Sequence, residues 1–103
     1  MSNQNNHFIE EIENNIERLK AELNFSESTK KKAIDIIRKA EEKDLVLDRN
    51  FACLAGAAVY IAGILEGERR SQKQIAKTMS VSENAISKRY VELVRELEIK
   101  KKK

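Results

Sequence analysis

Apolar residues recur along this chain at helical spacing, and they do so in separate stretches. Ile9, Ile12, Ile16, Leu19 and Leu23 step by three and four, which puts them on one stripe of an amphipathic helix ending near Asn24. That stripe runs for little more than two heptads, short of the ~3–4 that sustain a coiled-coil seam, so it reads as a core-facing stripe. Ser26 can cap a second helix whose inward positions are Ala33, Ile36, Ile37 and Ala40. From Phe51 to Leu65 the pattern changes, because the residues are apolar nearly all the way round. Such a helix is stable only when other helices surround it. Asp48 or Asn50 can open it, and Gly67 can close it as a C-terminal cap.

The last two stretches are short and tightly coupled. Ser71 and Gln74 have capping-box spacing for a helix running to about Met79, with Ile75 and Met79 inward and the small Ala76 where a second helix would press. Ser80-Val81-Ser82 makes the turn. Position 80 calls for left-handed backbone, which Gly adopts more readily than Ser. Val81 plugs the corner and Ser82 caps the next helix, in which Ile86, Tyr90, Leu93, Val94 and Leu97 face inward. Asn84, Ser87, Lys88, Val91 and Arg95 are left outside. The pattern as a whole predicts an all-α domain of five helices around a central apolar one, the last two forming a helix-turn-helix. Residues 1–7 read as a flexible tail, 8–99 as a single domain and 100–103 as a basic tail.

Composition agrees with that class. A chain of 103 residues with no Pro, three Gly and few aromatics suits one helical domain with a modest core. The net charge of +3 decides little, but its distribution is uneven: residues 1–48 carry 8 basic and 11 acidic side chains, and residues 49–103 carry 12 and 6. The basic half holds the helix-turn-helix, as an electrostatic footprint for phosphate would require. Arg69 and Arg70 ahead of it, Lys30 to Lys32 at the start of the second helix, and Lys100 to Lys103 could each add phosphate attraction, although a solvated face accounts for such clusters as well.

A helix-turn-helix places its second helix in the major groove. Asn84, Ser87 and Lys88, with Glu83 beside them, are the residues presented there. Asn can pair bidentately with adenine, and Lys can donate to guanine or to phosphate. Gln72, Lys73, Ser82 and Arg89 would hold phosphates. Against this stands an ordinary helical hairpin with a solvated polar face.

Other chemistry finds little material. Cys53 is alone in the chain and in an apolar run, which predicts a buried thiol and leaves no disulfide or cysteine-based zinc site. His7 is the single histidine, so a catalytic triad or histidine metal site is not expected, and neither is a cofactor. Glu10, Glu11, Glu13 and Glu17 read as a solvated helix face, and no Gly-rich phosphate loop occurs. The uncharged run from Phe51 to Leu65 is shorter than the ~20 residues that span a bilayer. A soluble, intracellular, nucleoid-associated monomer is expected; a dimeric repressor using the first helix as its seam is the variant.

From about Phe8 to Leu97 the chain resembles the cyclin-like repeat of archaeal and eukaryotic transcription factor B, particularly the second repeat. The resemblance is carried by Ser26-Glu-Ser-Thr-Lys-Lys-Lys-Ala-Ile-Asp-Ile-Ile-Arg-Lys-Ala-Glu-Glu-Lys43, Leu54-Ala-Gly-Ala-Ala-Val-Tyr-Ile-Ala62, Leu65-Glu-Gly-Glu-Arg-Arg-Ser-Gln72 and Arg89-Tyr-Val-Glu-Leu93. It implies a five-helix cyclin fold whose last two helices read the B-recognition element beside a TATA box in double-stranded promoter DNA, with TATA-binding protein and RNA polymerase as partners. The family commonly has Val-Thr-Ile-Arg in the recognition helix, where Asn84-Ala85-Ile86-Ser87 stands here. Ser87 cannot make a bidentate guanine contact, so the family's preference for sequence is not assumed for this chain. The chain has one repeat and no Cys pair for a zinc ribbon. It is therefore expected to act as a DNA-binding regulator or accessory initiation factor, or, using no DNA, as a cyclin-type adaptor for a protein partner.

Overall fold

The structure is a computed structural model that describes residues 3–44 and 50–99. Five helices follow in order: α1 (Asn3–Leu23), α2 (Glu27–Glu42), α3 (Phe51–Glu66), α4 (Gln72–Met79) and α5 (Glu83–Glu96). All five expected helices are present. The first starts at Asn3, earlier than its apolar stripe. Once a turn exists, each added residue gains a hydrogen bond without a new nucleus, so a helix can continue into polar sequence. Asp48 and the basic tail 100–103 lie outside the described residues.

The apolar run forms the axis of the domain. Every residue from Cys53 to Gly63 is buried, and α3 touches each of the other four helices. Asn50 caps it, its side chain accepting from the Cys53 N–H, and Gly67 ends it with left-handed backbone (φ 78°). Ile12, Ile16 and Leu19 of α1, and Ala33, Ile36, Ile37 and Ala40 of α2, pack against it fully buried or nearly so. Cys53 is a core thiol, as its surroundings predict. Two glycines set how closely neighbours approach. A Cβ on Gly56 would lie 2.6 Å from Ile86 Cδ1 and 3.0 Å from Ile75 Cγ2, so this position seats both helices of the pair α4–α5 on α3. A Cβ on Gly63 would meet the Glu68 carbonyl oxygen at 2.9 Å, so here the linker backbone itself lies on the helix.

The linker Glu68-Arg69-Arg70 is fastened at each residue to a different part of the domain. Glu68 accepts from the Ser26 N–H (3.0 Å), the Ser26 hydroxyl (2.7 Å) and the Thr29 hydroxyl, and so completes the N-terminus of α2, where negative charge is favoured. These donors hold its carboxyl at about 2, below the usual carboxylate value, with the Thr29 hydroxyl contributing most. Arg69 donates to the Tyr60 hydroxyl (3.1 Å) and lies against that ring. Tyr60 in turn meets Tyr90 of α5 edge-on, the ring centroids 4.9 Å apart. Arg70 donates to the carbonyls of Leu23 (3.1 Å) and Asn24 (3.3 Å) at the end of α1, and to those of Glu68 (3.0 Å) and Arg69 (3.3 Å). A cation on the last carbonyls of a helix satisfies acceptors that no later turn reaches.

Two more side chains tie the C-terminal pair to the body. Arg18 of α1 donates to the Thr78 carbonyl (3.1 Å) near the end of α4, and Lys43 after α2 donates to the Glu96 carbonyl (3.2 Å) at the end of α5. No helix among the described residues is long and apolar enough to cross a membrane.

Candidate nucleic-acid interface

The local chemistry of α4 and α5 builds the motif as the residues require. Ser71 Oγ accepts from the Gln74 N–H (3.0 Å) while Gln74 Oε1 accepts from the Ser71 N–H (3.2 Å), a complete capping box. Helix α4 ends at Ser80, which has left-handed backbone (φ 59°, ψ 41°) and sends its N–H back to the carbonyls of Ala76 and Lys77. Val81 is half-buried against the core, and the Ser82 hydroxyl accepts from the Ala85 N–H (3.0 Å) to start α5. Ile75, Ala76, Met79, Ile86 and Leu93 are buried, and Tyr90, Val94 and Leu97 pack on the core half-buried.

The opposite stripe of α5 is the more open one. Asn84, Lys88, Val91 and Arg95 are exposed and Ser87 is half-buried. On α4, Lys73 is exposed and Gln72 half-buried; Lys77, one turn beyond Lys73, is exposed as well. Among the expected phosphate holders two are already engaged. The Ser82 hydroxyl serves the cap, and Arg89 is half-buried in an ion pair with Glu92 three residues on. An open groove of about 630 Å³ runs beside α5, lined by Ser87, Lys88, Arg89, Val91 and Glu92 on one side and by Asn50 and Cys53 of the α3 N-terminus on the other. It gathers Ser87, Lys88 and Arg89; Gln72, Lys73, Ser82 and Asn84 are not part of its wall.

The charge of this face is smaller than the charge of its half of the sequence. Residues 71–99 carry five basic and four acidic side chains. Most of the remaining surplus sits on Arg49 and Lys100–Lys103, outside the described residues, or on Arg69 and Arg70 in the linker. Arg70 is committed to four carbonyls and the exposed Arg69 donates to Tyr60, so the linker pair acts as a structural clasp. Lys30 is likewise held by Glu17 (2.7 Å) and Glu27 (3.7 Å). The Glu17 hydrogen bond raises the lysine's pKa and lowers the glutamate's. Among the described residues Lys73, Lys77 and Lys88 enter no ion pair. With Arg95, exposed beside Glu96 (3.7 Å), they are the cations of this face.

Val91, which the spacing of α5 leaves outside, and Lys77, four residues after Lys73, complete the face. What marks Val91 is its size: half its surface (51%) is in solvent, and it is the large apolar side chain so exposed among the described residues.

Comparison with known proteins agrees with this architecture. The profile of the transcription factor TFIIB repeat matches residues 6–96. Transcription initiation factor IIB of Sulfurisphaera tokodaii is 48% identical over 84 residues, 82% of this chain and 27% of that protein. That of Archaeoglobus fulgidus is 46% identical over 84 residues, covering 82% of this chain and 26% of the relative. The Methanopyrus kandleri factor is 44% identical over 89 residues, 86% and 29% of the two chains. The chain thus spans a little over a quarter of the length of these relatives.

Proposed function

The chain belongs to the transcription factor TFIIB repeat family, and from that premise we propose that it is a DNA-binding transcription regulator or accessory initiation factor working through one cyclin-like repeat. The observation that carries this reading is the outward stripe of α5. It follows a capped helix-turn-helix corner whose turn residue has left-handed backbone, and it presents Asn84 and Lys88 exposed with Ser87 half-buried between them. That is the arrangement by which a recognition helix enters a major groove. In this role Asn84 and Lys88 address base edges, and Ser87 makes a single hydrogen bond where the family's Arg would make two. Lys73, with Lys77, holds phosphates from α4, and Gln72 at its start assists. The relatives are transcription initiation factors. Promoter DNA, TATA-binding protein and RNA polymerase are the corresponding partners here, the site of action is the nucleoid, and the work is binding with no catalytic step.

The near balance of charge over residues 71–99 favours a second reading, a cyclin-type adaptor that binds TATA-binding protein, polymerase or another helical partner without DNA. A titration separates the two. The protein is added to a labelled duplex carrying a TATA box and B-recognition element, and to a scrambled duplex, at two salt concentrations. Salt-sensitive binding at micromolar or lower concentration supports the DNA reading, because phosphate contacts release counterions. No binding at low salt rejects it in favour of the adaptor.

A further inference from the structure

We propose that Val91 is a base-reading residue, and that the outward face of α5 recognises a thymine through its C5-methyl group. The inference rests on the DNA-binding reading above and adds a chemical class of base to it. Val91 is the exposed large apolar residue among the described residues, and it lies on the same stripe as Asn84, Ser87 and Lys88. Lys88 precedes it by one turn and Arg95 follows it by one turn, both exposed.

The surroundings decide what such a side chain can meet. A protein interface of ordinary stability removes roughly 800 Å² from each partner around a dry centre, and one isopropyl group between two cations does not form such a centre. In the major groove the apolar element among the base edges is the thymine methyl, a single methyl-sized target flanked by acceptors and, further out, by phosphates. An apolar side chain with a cation one turn to either side fits that alternation. Spacing along the helix is also compatible. Seven residues separate Asn84 from Val91, a rise of about 10 Å, or about three base-pair steps of ~3.4 Å. Asn84 and Val91 therefore bracket a short element, an adenine at the Asn84 end and a thymine at the Val91 end, with Lys88 and Ser87 between them. This replaces the guanine contact that Ser87 cannot make.

The test begins with selection of tightly held duplexes from a randomised library by the whole protein, followed by titration of the selected duplex. Each thymine is then exchanged for deoxyuridine, which removes the methyl and leaves base pairing intact. One exchange should weaken binding by about fourfold, the effect of losing one buried methyl-sized contact. Val91→Ala should weaken binding to the thymine duplex by a similar factor and make it indifferent to that exchange. Circular dichroism should show an unchanged helix content, since the residue is on the surface. Tight binding that ignores every uracil substitution, or a Val91→Ala loss of equal size on thymine and uracil duplexes, would overturn the proposal while leaving DNA binding intact. Failure to retain any duplex at low salt would overturn the DNA reading and this assignment together.

Discussion

The linker ahead of the helix-turn-helix and the outward face of α5 both carry cations, and they use them in opposite ways. Arg69, itself exposed, donates to Tyr60, and the half-buried Arg70 donates to four carbonyl oxygens that close α1 and the linker itself. Lys88, with Lys73 and Lys77 on α4, stands in solvent without an ion pair among the described residues. Arginine's fixed fork of donors suits the first task and a flexible ammonium suits the second. A count of charges in the C-terminal half therefore overstates what a phosphate would meet.

That contrast makes separable predictions. The largest effect should come from Gly63→Ala, whose new methyl would meet the Glu68 carbonyl oxygen at 2.9 Å. Backbone must move, and chemical denaturation should show a loss of about 2–3 kcal/mol. Arg70→Ala should come next, with a loss of about 2 kcal/mol from the abandoned carbonyls. At a temperature where this variant remains folded, its affinity for duplex DNA should stay close to that of the parent chain. An Arg70→Ala protein that is fully stable yet has lost DNA binding would reverse the roles assigned to the two regions.

The clasp also has a pH signature. The Glu68 carboxyl is held at about 2 in the folded chain against an ordinary value of 4.5. Its contribution to stability is therefore complete above about pH 4.5 and is lost as pH falls towards 2. Denaturation midpoints measured across that window should fall more steeply for the parent chain than for Glu68→Gln. Parallel curves would show that the Ser26 and Thr29 hydrogen bonds do not favour the ionised form. The smallest effect is a gain. Ser80 holds left-handed backbone at φ 59°, and Ser80→Gly should raise stability by about 1 kcal/mol by removing the Cβ clash. No gain in melting temperature would show that the turn is not strained.

The same contrast separates what the sequence makes legible from what it does not. The helix-turn-helix is built from local interactions: Ser71 with Gln74, Ser82 with Ala85, and a left-handed residue 80. Short spacing exposes all of these, and periodicity exposes the buried Ile75, Ile86 and Leu93. The clasp is not local. Glu68 meets Ser26 and Thr29 about 40 positions away, and Arg70 meets Leu23 at a separation of 47. No period or cap rule links such residues, so Arg70 looks like a free cation until the chain is folded. Thr29 was hidden for the same reason: it is fully buried, and its hydroxyl is satisfied by the distant Glu68. Arg89, expected to hold phosphate, is different, because its partner Glu92 lies one turn away, a separation at which helical ion pairs form.

The proposed meeting of DNA with Lys88 and Asn84 of α5 can be read from duplex affinity measured from low to moderate salt for the parent chain and for Asn84→Ala/Lys88→Ala. The double variant should keep the parent's stability, bind DNA at least tenfold more weakly through the lost base contacts, and show a salt slope shallower by about one if Lys88 reaches phosphate. Affinity and slope identical to the parent's would contradict the proposal and remove the outward face of α5 from the interface.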